Sequence, residues 1–368
     1  MKKILALLAM LALIAAACGS GSTASSDDGA AADDSAATDD SAADDSAASD
    51  DGEMTETLID NLNVAYFAAW PLPAQIGQAD GSFAAAVGAE NITWIPLNSG
   101  GEMAEAMIAG DVDISYSMGL TPFANNVNNG AELTLVGIAV SYAEADNCIA
   151  QDSLGLTRDN AAEVLAGKTV VTPIGNVTHF KMLSIMDFLG VDLSSLSIVP
   201  AEGGAATAAA FATGDIDVGC AFGGPVVDMI NAGGSPILTG AETESEVGIR
   251  TYDINAIPTS FGQENPEVVT NFLKASEQFN QMWASDPGTY NPIIATAAGM
   301  EDVGDFLDGD LWFSFPTIEE QLSADWMGGN VAETMQDQLQ TFEELGQIDS
   351  VLGDFSGFVD TSYLEAAQ

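Results

Sequence analysis

Beyond about residue 60, short apolar runs bounded by turn residues alternate with stretches of helical spacing. Residues 62–66, 91–96, 112–116 and 133–140 read as strands. Between them, residues 73–80 and 103–109 carry helical spacing, and a further helix begins at Met118-Gly119-Leu120-Thr121-Pro122. A second series follows, with strands at residues 169–172, 196–200 and 217–222 and a strand-like run at Asn147-Cys148-Ile149-Ala150. Residues 248–256 read as a strand that crosses back, and residues 266–283, 287–299, 317–327 and 331–345 as helices that pack on the first series. Strands alternating with helices predict an α/β class.

The ends of these strands share a character. Ser99-Gly100-Gly101-Glu102, Thr172-Pro173-Ile174-Gly175-Asn176, Glu202-Gly203-Gly204 and Gly223-Gly224-Pro225 are small or polar turns that precede helices. Open α/β sheets bind ligands at such edges. The phrase Ala109-Gly110-Asp111-Val112-Asp113-Ile114 returns as Thr213-Gly214-Asp215-Ile216-Asp217-Val218. Two series with matching edges predict two lobes around a cleft, and two crossings between them predict a hinged clamp.

The stretch from Thr172 to Phe180 carries the first chemical suggestion. A strand stops there and a helix opens, with Asn176 and Thr178 as cap-type side chains beside unpaired backbone N–H groups. The positive end of a helix dipole can hold a carboxylate or sulfonate without an arginine. An ordinary capped helix is the alternative.

Composition narrows the partners. The 368 residues carry 7 Lys+Arg against 55 Asp+Glu, a formal charge of −48. Such a body excludes nucleic acid, disfavours anionic membranes and repels multiply charged anions, so a zwitterion or neutral solute suits it better. The same excess suits a protein kept in salty water, where screening relieves self-repulsion. His179 is the only histidine, either a ligand donor or simply part of the helix start, and no cofactor or metal is expected.

The chain begins with Met1-Lys2-Lys3 and an apolar run, then Ala15-Ala16-Ala17-Cys18, which is an export signal too short to span a bilayer. Residues 1–17 are expected to be removed. Residues 18–57, rich in Ser, Ala and paired Asp, cannot bury a core and are expected to be a disordered acidic tether. Cys148 and Cys220 remain as an even pair outside the cytosol, each in a strand-like run. A bridge between them is favoured, with two buried free thiols as the alternative.

Several phrases then occur in a distinctive order: Gly77-Gln78-Ala79-Asp80-Gly81-Ser82-Phe83, Ser99-Gly100 before a helix ending in Ala109-Gly110-Asp111, Thr172-Pro173-Ile174-Gly175 with Thr178-His179, Leu238-Thr239-Gly240-Ala241-Glu242, Tyr252-Asp253 and Asn265-Pro266-Glu267. In this order, and with the leader, the chain resembles solute-binding lipoproteins of ABC importers in the nitrate, sulfonate and taurine group. The stretch around Cys18 resembles their lipobox, with Ala15 where leucine is usual.

The resemblance implies a two-lobed periplasmic-binding architecture of type II, with residues 58–142 and 255–368 in one lobe and 143–254 in the other. It implies lipidation at Cys18, a permease and an ATPase as partners, membrane contact through the anchor only, and a monomer. For an aminosulfonate such as taurine, the sulfonate would take donors from the turns at Ser99-Gly100 and Asn176, Thr178 and His179, with Thr121 as a further ligand-binding residue and His179 alternatively only starting its helix. The ammonium would take Asp253, with Glu144 or Glu202 as a second carboxylate; Trp70 and Phe222 would supply walls, joined by Tyr142 at the first crossing. Another alkylsulfonate, a thiamine pyrimidine precursor or another zwitterion is the alternative ligand. A sensor or adhesin using the same clamp is the alternative class. An enzyme is disfavoured, since no Ser/His/Asp arrangement, zinc spacing or P-loop is present.

Overall fold

The computed structural model describes residues 57–201, 203–308 and 313–368. The export signal, Cys18, the tether and Glu202 lie outside the described residues. Two sheets organise what is described. The first has the order β11-β4-β10-β3-β1-β2, built from β1 (Ile59–Phe67), β2 (Ala89–Leu97), β3 (Ile114–Gly119), β4 (Leu133–Tyr142), β10 (Tyr252–Pro258) and β11 (Phe313–Ser314). The second has the order β7-β6-β8-β5-β9, from β5 (Asp146–Gln151), β6 (Thr169–Thr172), β7 (Ser197–Pro200), β8 (Val218–Phe222) and β9 (Gly234–Pro236).

Within each sheet the strands joined through helices run parallel, β1 with β2 and β3, and β6 with β7 and β8. Antiparallel strands enter at the crossings. The chain leaves the first sheet after Tyr142, enters the second at Asp146, and returns at Tyr252 into β10, which lies antiparallel between β3 and β4. Every residue of β3 is buried and β4 is buried almost throughout, as expected for strands covered on both faces. The helix Pro266–Ser285 covers one face, setting Phe272 and Phe279 at 5.2 and 5.4 Å from Phe83 in the same core.

The repeated Gly-Asp phrase is one turn built twice. Gly110 and Gly214 end their helices at φ of 82° and 76°, a conformation glycine adopts without strain. Asp113 then accepts the backbone N–H of Asn63 on β1 at 2.8 Å, and Asp217 that of Thr169 on β6 at 2.9 Å. Each aspartate therefore ties the start of one strand to its neighbour, so the two lobes share a local design.

Cys148 and Cys220 are bonded, joining β5 to β8 at residues that face each other in the ladder. Other expectations need correction. Met118 and Gly119 do not begin a helix; they complete β3, because the ladder to β10 continues to the pair Gly119 and Asp253, and the helix starts at Leu120. Residues 317–327 are not one helix. Only Ile318–Gln321 is helical, and Gln321 then spends its amide on Ile138 N–H (2.7 Å) and Pro316 O (2.9 Å) instead of facing solvent. The returning strand starts at Tyr252 rather than 248, since residues 243–247 form a wide helical turn closed by Gly248 at φ 82°. β11, between the stretches read as helical at 287–299 and 317–327, pairs with Tyr142 and Ser141.

Candidate functional site

The helix-opening turns of both sheets meet across a cleft of about 820 Å³. From the first sheet come Phe67 and Trp70 after β1, Ser99-Gly100-Gly101 after β2, and Gly119 and Pro122 after β3. From the second come Pro173 to Thr178 after β6, Gly203-Gly204 after β7, and Phe222 to Pro225 after β8. Tyr142, Asp146 and Asp253, where the chain crosses between sheets, complete the lining.

The walls offer backbone donors. Ser99 Oγ accepts Glu102 N–H at 3.1 Å as the N-cap of Gly100–Ala109, and Asn176 Oδ1 accepts His179 N–H at 3.1 Å as the N-cap of Val177–Phe188. Gly204–Thr213 and Gly224–Asn231 begin at glycines with no side-chain cap. Glycine is required by packing here: a Cβ on Gly204 would lie 2.7 Å from Pro225 Cγ, and one on Gly100 would lie 2.9 Å from Pro122 Cγ. Helix starts converging in this way favour negative charge. No Lys, Arg or His lines the cleft among the described residues.

The crossing residues do the opposite. Asp253, 2 % exposed, accepts Tyr142 O–H at 2.7 Å and Ser117 O–H at 2.8 Å. Burial pushes its carboxyl up to about 7 despite both hydrogen bonds, with the charge of Asp146 adding to the rise. Asp146, also 2 % exposed, accepts Thr178 O–H at 3.0 Å through Oδ2, while its Oδ1 has no partner. Burial raises it to about 6, against the pull of Lys181 and Thr178. Lys181 is buried behind it, its pKa lowered by burial, and donates to Ala143 O at 2.9 Å and to Asp146 O, so it braces the crossing without entering the cleft.

Aromatic rings close the rim. Trp70 stands edge-on to Tyr142 at 5.1 Å, and Phe222 of the second sheet reaches Trp70 at 6.2 Å and Phe67 at 6.3 Å. Gly223 sits at φ 69°, a conformation glycine adopts without strain, beside the Trp70 ring.

Trp70, Ser99, Gly100, Tyr142, Asn176, Thr178, Phe222 and Asp253 thus meet in one cleft. Three expected residues do not line it. Thr121 is buried and donates to Gln338 Oε1 at 2.8 Å, holding its helix to Asn330–Glu344. Glu144 faces away, accepting the N–H of Ala241 at 3.2 Å at the start of a short helix and Asn147 at 3.4 Å. His179 accepts Gly175 N–H at 3.2 Å through Nδ1 and stacks on Phe342 at 5.4 Å. Burial lowers it to about 4, so it is neutral and has no imidazolium to offer an anion. Sequence reasoning passed over Asp146 and Lys181. The available signal for Lys181 was a basic residue set between Phe180 and Met182; nothing comparable marks Asp146, which follows Glu144-Ala145 and precedes Asn147.

Comparison with known proteins agrees with this geometry. The taurine-binding periplasmic protein of Escherichia coli is 25 % identical over 313 residues, covering 83 % of this chain and 93 % of that protein. The crystal structure of the periplasmic aliphatic sulphonate binding protein SsuA from Escherichia coli superposes with a TM-score of 0.66 at 16 % identity, over 80 % of this chain and 90 % of that one. The desulfurization enzyme DSZB shares the fold at a TM-score of 0.56 and 12 % identity, over 84 % of this chain and 98 % of that one. The fold is therefore the two-lobed α/β architecture of the periplasmic binding proteins, with the cleft between lobes. With the NMT1/THI5-like family model matching residues 92–289, more than half of its length, the chain belongs to the NMT1/THI5-like family.

Proposed function

We propose that the protein is the extracytoplasmic solute-binding component of an ABC importer and captures a small aminosulfonate, taurine first. One observation carries the reading: the cleft joins helix starts with no cationic side chain to a buried carboxylate, a distribution that matches a zwitterion end to end. The sulfonate would take backbone N–H groups at Gly100-Gly101, Val177-Thr178 and Gly204, with the Trp70 indole N–H, which lacks a partner, as a further donor. The ammonium would face Asp253, held by Tyr142 and Ser117. Because the sulfonate donors come from both lobes, Gly100-Gly101 from the first and Val177-Thr178 and Gly204 from the second, a closed clamp completes the site and an open one leaves it partly unmade.

The relative's name supports transport, and with it a permease and an ATPase as partners. Export by residues 1–17, lipidation at Cys18 and a monomer tethered through residues 18–57 complete the proposal. A binder is favoured over an enzyme of the same fold by the cleft itself. Cys220 lines it, but its sulfur is bonded to Cys148, and the imidazole of His179 lies outside the lining.

A second reading, an alkylsulfonate without an amine, draws on the apolar side of the rim, where Ile174 is 50 % and Phe222 36 % exposed. Calorimetric titration separates the two. Taurine, ethanesulfonate and ethylamine are compared on the full chain after removal of co-purified ligand. Taurine binding one to one, with both truncated analogues much weaker, supports the aminosulfonate. Equal binding of taurine and ethanesulfonate selects the second reading, and silence of all three refutes both.

A further inference from the structure

Asp146 is a buried carboxylate that the aminosulfonate reading leaves without a task. Asp146 lines the cleft; its Oδ2 is occupied by Thr178, while Oδ1 is buried and has no hydrogen-bond partner. A buried carboxylate oxygen without a donor is costly unless something completes it. The groups around it are of known kind. On its own strand the next residue is Asn147, whose Oδ1 is occupied by the N–H of Cys148. Across the ladder lies Phe222, from the helix Val177–Phe188 come Thr178 and Lys181, and Tyr142 and Asp253 face it from β4 and β10, with Glu144 further along the crossing.

We infer that Asp146 is the second wall of the amine seat, and that the cleft therefore selects a primary ammonium over substituted amines and over sulfonates lacking nitrogen. The inference rests on the aminosulfonate reading and sharpens it. A primary ammonium carries three N–H donors, enough for Asp253 on one side and Asp146 Oδ1 on the other. Each methyl group on nitrogen removes a donor and sets a carbon against a desolvated carboxylate. Charge balance agrees. Asp146 and Asp253 both line a cleft that no cationic side chain enters among the described residues, so the ligand's ammonium is the positive charge they meet there. Lys181 has a positioning part here: it donates to the backbone carbonyls of Ala143 and Asp146 and so holds the crossing that carries the carboxylate.

The test titrates the full chain and its Asp146→Asn and Asp253→Asn variants with taurine, N-methyltaurine, N,N-dimethyltaurine and ethanesulfonate at pH 8. In the unmodified protein, affinity should fall stepwise with each methyl, by about tenfold or more from taurine to the dimethyl compound. Asp146→Asn should still bind sulfonates but lose most of that discrimination. If the variant weakens taurine and N,N-dimethyltaurine equally while Asp253→Asn abolishes taurine's advantage over ethanesulfonate, Asp146 is structural and the inference is overturned with the function intact. If the unmodified protein itself fails to distinguish taurine from ethanesulfonate, the amine seat is wrong altogether.

Should Asp146→Asn not fold, the unmodified protein still decides. Taurine binding at pH 5, measured in buffers of different ionisation heat, should release nearly two protons if both carboxylates serve the ammonium, and about one if Asp253 acts alone.

Discussion

The pH dependence of ligand affinity is the sharpest consequence of the site. Asp253 has a folded value of about 7 against an ordinary 3.8, so in the empty protein it is largely protonated at pH 5 and largely ionised at pH 8. An ammonium needs the ionised form. The ionised fraction is about 1 % at pH 5 and about 90 % at pH 8, so Asp253 alone should raise taurine affinity about 90-fold across that range, or about 2.7 kcal/mol, and Asp146, raised to about 6, should add about tenfold more where it shares the ammonium. The stability of the empty protein runs the other way. A raised carboxyl contributes stability that is fully present below its ordinary value and lost as pH rises through about 7. Titration calorimetry of the unmodified chain and Asp253→Asn at half-unit steps would separate the two effects. The variant should bind weakly with a flatter profile. A profile flat from pH 5 to 8 in the unmodified chain, or an undiminished slope in Asp253→Asn, would refute the assignment of the ammonium to this carboxylate.

Three further outcomes are expected. Reducing Cys148–Cys220, or replacing both residues with Ser, should lower stability by up to about 4 kcal/mol in urea unfolding, because a loop of 72 residues regains its freedom in the unfolded chain. His179, lowered to about 4 from 6.5, contributes stability that is present above 6.5 and lost as pH falls through 4; in thermal melts, His179→Gln should lose less stability than the unmodified chain between pH 7 and pH 4.5, with taurine affinity at pH 8 little changed. With a net charge of −48, the melting temperature should climb as the Debye length shrinks from about 10 Å at ~0.1 M salt to about 3 Å at ~1 M; a melt indifferent to salt would mean that self-repulsion does not limit stability.

Much of the architecture was legible in the chain because it is written locally. Strands show as short β-branched and apolar runs, helix starts as Ser99, Asn176 and paired glycines, and the doubled Gly-Asp phrase marks a turn made once in each lobe. The pairing of Cys148 with Cys220 was accessible for the same reason, since each sits in a readable strand and no third cysteine follows them. The errors lie where long-range contact overrides local preference. Met118 and Gly119 look like a helix start but are held in β3 by β10, whose partner residues lie far along the chain. Gln321 ends a helix that periodicity would have continued, because its amide is used by β4 and Pro316.

Site chemistry divides in the same way. The sequence determined that any anion here must be held by helix-opening backbone rather than by arginines, because the chain has so few cations, and it nominated Asp253 and Tyr142. Only the tertiary structure decided which side chains face the cleft. It turned Glu144 toward Ala241, gave His179 to Gly175 and Phe342, and brought Asp146, with a free carboxylate oxygen, alongside Asp253. Local sequence fixes which groups a turn can offer; the direction a side chain takes, and the desolvation that changes its charge, depend on residues a hundred positions away that fold against it.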